Sequence, residues 1–266
     1  MDALDDAPPF SMKIQLADIA LDCGALTLEA YLAAPGGASG RVLFGTWKGR
    51  RIAVKIIAAR PGVPAAKSHE AFMGEAENML AVRELMSRAR TLERVGASLL
   101  EECRLPVAGR RCRESHDLRG YRHLIYIYGV GTVPDLSAIA PVLPPGPAHL
   151  VVMEPLTGGS LKEPPHSPHV AQRAPAELSA GLAALAAAHI VHADVKPENI
   201  MLRTPGGELV LTDYGVGRIS NGGADESEYI EADAAHGTKL YLAPELLDGK
   251  HANTFASDMC GGGGRV

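Results

Sequence analysis

Eight consecutive residues constrain this chain more than any other stretch: His192-Ala193-Asp194-Val195-Lys196-Pro197-Glu198-Asn199. They place a carboxylate, a lysine and a carboxamide on one short loop. An apolar strand, Ile200-Met201-Leu202, follows directly, and Asp213-Tyr214-Gly215 begins 14 residues after Asn199. A fold for this chain has to seat the loop beside that second aspartate.

The rest of the chain sets broad limits. At 266 residues it has room for one large domain or two small lobes with a proper core. It is 46% hydrophobic and 21% charged, with a net charge of -5. That balance gives no general case for a nucleic-acid or anionic-membrane partner. The four cysteines (Cys23, Cys103, Cys112, Cys260) are scattered, without zinc-type spacing, and read as reduced thiols. Residues 1–20 read as a disordered leader, acidic at the start and without a signal-peptide pattern. The longest near-apolar run, Ala180 to Val191, is 12 residues, far short of a membrane span. A soluble protein, cytoplasmic or nuclear, is expected.

Leu26 to about Ala58 reads as strands around a glycine-rich turn at Gly36, Gly37 and Gly40. Helical periodicity follows from about Ser68 to Glu102. An arginine-rich insert, 104–122, reads as a solvated loop. His123 to Tyr128 and His149 to Met153 are the next expected strands, on either side of a proline-rich 134–147. Pro164 to Pro175 reads as a connector, and Ala176 to His189 as an alanine- and leucine-rich helix. Five strands with one helix, then a helical half, suggest two lobes: 21–156 and 157–266, joined near 154–157.

The loop residues suit phosphoryl transfer. Asp194 can accept a hydroxyl proton, Lys196 can neutralise a moving phosphate, and Asn199 with Asp213 can hold magnesium. In order and spacing these segments resemble the motifs of eukaryotic protein kinases of the serine/threonine type. Gly37, Gly40 and Val42 fall in register with the phosphate-covering loop, with Pro35 where the first glycine belongs. Ala53-Val54-Lys55 resembles the strand whose lysine pairs with the α- and β-phosphates. Phe72, Glu75 and Met79 reproduce the helix spacing that makes Glu75 the partner of Lys55. Val151 to Leu161 resembles the segment joining the lobes. There the resemblance implies Met153 as gatekeeper, backbone groups of Glu154 and Leu156 toward adenine, and Met201 as the floor. Gly237 to Glu245 resembles the loop that receives a protein substrate, and Thr238 is one of four candidate phosphosites with Ser220, Ser227 and Tyr229.

The resemblance implies an α+β bilobal fold and an ATP- and magnesium-dependent transfer of the γ-phosphate to a protein Ser or Thr. It departs at Ala193, where the family carries an arginine that binds an activation-loop phosphate. It also thins out after Glu245, where only 21 residues remain, four of them consecutive glycines at 261–264. Glycine costs about 1 kcal/mol in a helix relative to alanine, so the sequence predicts an incomplete C-terminal lobe that a partner would cover. The alternative expectations are a catalytically impaired scaffold or fragment that binds nucleotide or a partner, and a small-molecule phosphotransferase.

Overall fold

The computed structural model describes residues 25–29, 41–58, 120–141, 143, 145–163, 167–187, 190–213, 218–219, 238–247 and 253–263, with the helical residues Phe72, Ala76, Met79, Val82, Arg83 and Met86. The leader, Gly37, Gly40, Glu75, Tyr214, Gly215, residues 104–119 of the arginine-rich insert and the phosphosite candidates other than Thr238 lie outside them. Cys260 is a free thiol, and the other three cysteines also fall outside.

Five antiparallel strands form the first sheet: β1 (Leu26–Leu28), β2 (Arg41–Trp47), β3 (Arg50–Ala58), β4 (Ile127–Val133) and β5 (Ala148–Met153). Their spatial order is β1-β2-β3-β5-β4, so β3 is central. Lys48 and Gly49 join β2 to β3 with φ of 49° and 75°, the two-residue turn whose twist matches paired strands. Period two decides which way each side chain of β3 faces. Ile52, Val54 and Ile56 pack on one face with Leu43, Leu150 and Val152. Ala53 falls on the other, within a cluster that includes Val151, Met153 and the helical Phe72, Ala76, Met79, Val82 and Met86. Both faces of the sheet are therefore covered. The fourth strand begins at Ile127 rather than His123, because residues 121–123 form a 3-10 turn first.

That second cluster continues into the rest of the chain. Helix α1 (Pro168–Ala187) contributes Val170, Ala174, Leu178, Leu182 and Leu185, a stripe spaced three or four residues apart. The expected connector up to Pro175 is thus helix from Pro168 onward. Ser167 caps it, its Oγ accepting the Val170 N–H at 3.3 Å, with Pro168 at the first helical position. Pro175 stands inside the helix on its exposed side, and the buried stripe holds the helix despite the missing donor.

Two short pairs follow: β6 (Ile190–Val191) with β9 (Arg218–Ile219), and β7 (Ile200–Leu202) with β8 (Leu209–Leu211). From α1, Arg173 donates to the carbonyls of Gly206 and Gly207, and Glu177 Oε2 accepts the Leu209 N–H at 2.8 Å. Helix and hairpin are stapled together by these bonds.

The chain also forms α2 (Phe255–Gly263), a helix that runs through three of the four glycines and packs against α1. This corrects the expectation that the glycines exclude a helix there. A reciprocal cap sets its start. Ser257 N–H donates to Thr254 Oγ1 at 3.1 Å, and Thr254 N–H donates to Ser257 Oγ at 2.8 Å.

The segment after β5 lies against β7. Thr157 N–H donates to Arg203 O at 3.1 Å, Gly158 N–H to Leu202 O at 3.0 Å, and Leu161 N–H to Ile200 O at 2.8 Å. A Cβ at Gly158 would stand 2.4 Å from Leu202 Cβ and from Thr204 O, so only glycine permits this approach. Gly158→Ala should lower stability by about 1–3 kcal/mol, read as a fall in thermal midpoint.

Candidate active site

Asp194 organises the site. Its Oδ2 accepts from Lys196 Nζ at 2.5 Å and from Asn199 Nδ2 at 3.1 Å. Its Oδ1 accepts from the backbone N–H and the hydroxyl of Thr238, both at 3.1 Å. Lys196 Nζ also donates to Thr238 Oγ1 at 3.1 Å, closing a triangle of carboxylate, ammonium and hydroxyl. Thr238 entered the sequence reading as a phosphosite candidate. Its place in the structure is against the Asp194 carboxylate, a proximity that a sequence separation of 44 conceals.

The backbone beneath Asp194 is held from α2. Asp258 Oδ2 accepts the His192 N–H at 2.7 Å, and Oδ1 accepts the Ala193 N–H at 2.9 Å. Ala193 has φ of 64°, a conformation that L-residues other than Asn, Asp and His seldom adopt. The bond to Asp258 makes that strained turn persist. Burial pushes the Asp258 carboxyl above its ordinary range, against the downward pull of the two backbone N–H donors. His192 is fully buried and accepts the Asp194 N–H at Nδ1, so its proton lies on Nε2, which donates to Thr212 O at 3.0 Å.

Asp213 follows Thr212, and its φ of 67° is again left-handed. Its Oδ1 lies 2.5 Å from Lys55 Nζ. Lys55 is buried on central β3, opposite Val151 of β5 and Val42 of β2. Glu75, the partner expected from the sequence, lies outside the described residues. Both amide hydrogens of Asn199 go to Asp194, one to the backbone oxygen at 2.8 Å and one to Oδ2. Among the described residues no donor reaches Asn199 Oδ1, which leaves an oxygen of the kind a hard cation takes. Next to it, Glu198 is held below the usual carboxylate range, chiefly by a 2.9 Å hydrogen bond from Lys162.

A third group of residues lines the approach from the sheet. Ala53, Met153 and Leu156 are buried in one cluster, with Val42 and Met201 packed against it. Ala53 and Met153 face each other across β3 and β5. Glu154 N–H is committed to Tyr126 O at 2.9 Å, while among the described residues its carbonyl and the Leu156 N–H take no hydrogen bond. The structure thus brings Val42, Ala53, Met153, Leu156 and Met201 together at one end, and Lys55 with Asp213 and Asp194 with Lys196 and Asn199 at the other. Strand β3 joins the two groups, carrying Ala53 in the apolar one and Lys55 in the charged one.

Comparison with known proteins finds similarity to protein kinases. Residues 136–263 match the protein kinase domain family. The chain is 32% identical over 139 residues to the serine/threonine-protein kinase PkaA of Streptomyces coelicolor, a match covering 50% of this chain and 25% of that one. It is 40% identical over 90 residues to PkaB of the same organism, covering 31% and 21%. To CBL-interacting protein kinase 22 of Oryza sativa subsp. japonica it is 29% identical over 176 residues, covering 60% and 37%. The chain spans well under half the length of these relatives, and its likeness to protein kinases rests on residues 136–263 and these partial matches.

Removing the brace tests the site's construction. Asp258→Ala leaves two buried N–H groups without acceptors and should cost about 2–4 kcal/mol of stability by thermal or denaturant unfolding. Because the folded chain raises the Asp258 pKa, this group's contribution is full below its ordinary value of 3.8 and is lost as pH rises through the raised one. The gap between native chain and variant should therefore be widest in acid and narrow as pH climbs.

Proposed function

We propose that the chain is the catalytic part of a serine/threonine protein kinase, transferring the γ-phosphate of ATP to a Ser or Thr hydroxyl of a protein. One observation carries the reading: Asp194 is held by Lys196, Asn199 and Thr238 in the same arrangement that pairs Lys55 with Asp213. In this reading the sheet and its helical residues form one lobe, residues from 157 onward form the other, and 154–157 link them. Val42, Ala53, Met153, Leu156 and Met201 receive the adenine, aided by the glycine turn at Gly37 and Gly40. Glu154 C=O and Leu156 N–H supply its hydrogen bonds.

Asn199 and Asp213 would hold magnesium with the nucleotide, and the metal would supply neutralising charge at the phosphate oxygens. The chain's own residues do the rest. Asp194 orients the substrate hydroxyl and takes its proton. Lys196 leaves Asp194 for the transferred phosphoryl oxygens, and Thr238 fixes the Asp194 rotamer throughout. Lys55, steadied by Glu75, holds the non-transferred phosphates. Positioning and electrostatics supply the rate, as this reaction class requires. Protein substrates follow from the family. No described helix is long and apolar enough to cross a membrane.

Transfer from γ-labelled ATP with magnesium to a basic protein tests the reading. Asp194→Asn should lower kcat by about 10²–10⁴-fold while nucleotide affinity stays near native. A folded native chain that transfers no phosphate would overturn it in favour of a nucleotide-binding scaffold. Transfer to a small alcohol and to no protein would make it a small-molecule phosphotransferase.

A further inference from the structure

We propose that Arg203 is a positioning residue which, through Glu154, sets the segment that grips the nucleotide base. The inference rests on the kinase reading above and concerns two residues that chemistry at the phosphates does not use. Glu154 follows gatekeeper Met153 directly, yet its carboxylate is turned away from the base. Oε1 accepts the Tyr126 N–H at 3.0 Å, and Oε2 accepts from Arg203 Nη1. The same guanidinium donates from Nη2 to Arg122 O at 2.6 Å. Arg203 therefore ties together three pieces of chain: the 3-10 turn before β4, the segment after β5 and the end of β7.

The position of Arg203 gives this tie its consequence. It lies two residues beyond Met201, on the same side of the strand by the period-two rule. Its own carbonyl accepts the Thr157 N–H, three residues past Glu154. One residue thus fixes Glu154 by side chain and Thr157 by backbone, on either side of Leu156. Glu154 C=O and Leu156 N–H, the two groups assigned to the base, are held between these anchors and above Met201. The pair is well shielded, with side-chain exposures of 29% for Arg203 and 13% for Glu154, so its geometry is steadier than that of a surface ion pair. The two bonds leave from different nitrogens of one planar fork, a spacing that the single nitrogen of a lysine does not reproduce.

The experiment is steady-state transfer from ATP to a generic protein substrate by the full chain, separating KM for ATP from kcat. Arg203→Ala and Glu154→Gln should each raise the ATP KM about tenfold with kcat changed less than about twofold, the signature of lost binding rather than lost chemistry. The double variant should be no worse than the poorer single one, since both break the same tie. Arg203→Lys should fall between native and alanine. Unchanged ATP KM in a folded variant, additive losses, or a fall in kcat alone would overturn the proposal. Should Arg203→Ala fail to fold, the isosteric Glu154→Gln decides by the same criteria. A native chain without transfer would overturn the kinase reading, and this inference with it. A native chain that transfers normally beside indifferent variants would overturn the inference alone.

Discussion

The site depends on one buried carboxylate. Asp258 gives each of its oxygens to one of two successive backbone N–H groups, those of His192 and Ala193. Buried amides without acceptors are costly, and the left-handed turn at Ala193 adds strain, so the loop takes this shape only where such a brace exists. Two routes lead from the brace. Through Ala193 it orients Asp194, and hence Lys196, Asn199 and Thr238. Through His192 and the Thr212 carbonyl it reaches Asp213, and from there Lys55 on the sheet. A helix of nine residues thereby governs groups on both sides of the molecule.

The sheet contributes rigidity where function would use it. Lys55 sits on the central strand, paired on both edges, with apolar layers above and below. A buried ammonium requires a partner, and the structure supplies Asp213 at 2.5 Å. The same strand carries Ala53 against Met153, so one element places both an apolar wall and a cation. The hairpin of β7 and β8 does the equivalent work opposite, carrying Met201 and leading to Asp213.

Local chemistry made much of this legible. The spacing of Asp194, Lys196, Asn199 and Asp213 pointed to one site because charged and amide groups recur at fixed offsets along the chain. The β-branched, apolar run Ile52–Ile57 marked a strand, and the five-stranded sheet followed. The misses have physical causes. The cap at Ser167-Pro168 was present in the sequence, but the proline-rich run masked it, and a buried stripe overrode Pro175. Propensity argued against a helix through Gly261–Gly263, yet the reciprocal cap of Thr254 and Ser257 and packing on α1 hold one there. Thr238 beside Asp194, and Arg203 beside Glu154, are long-range pairs that no short motif encodes.

The brace arrives late in synthesis. Asp258 lies 66 residues beyond His192 and 65 beyond Ala193. At about 5–20 residues per second, a ribosome needs roughly 3–13 s to cross that interval. For most of that time the growing chain already contains Lys55, Asp194 and Asp213 but not the carboxylate that fixes their geometry. Competence is thus timed by translation: the chain must emerge through Asp258 before the earlier-made parts of the site can be locked.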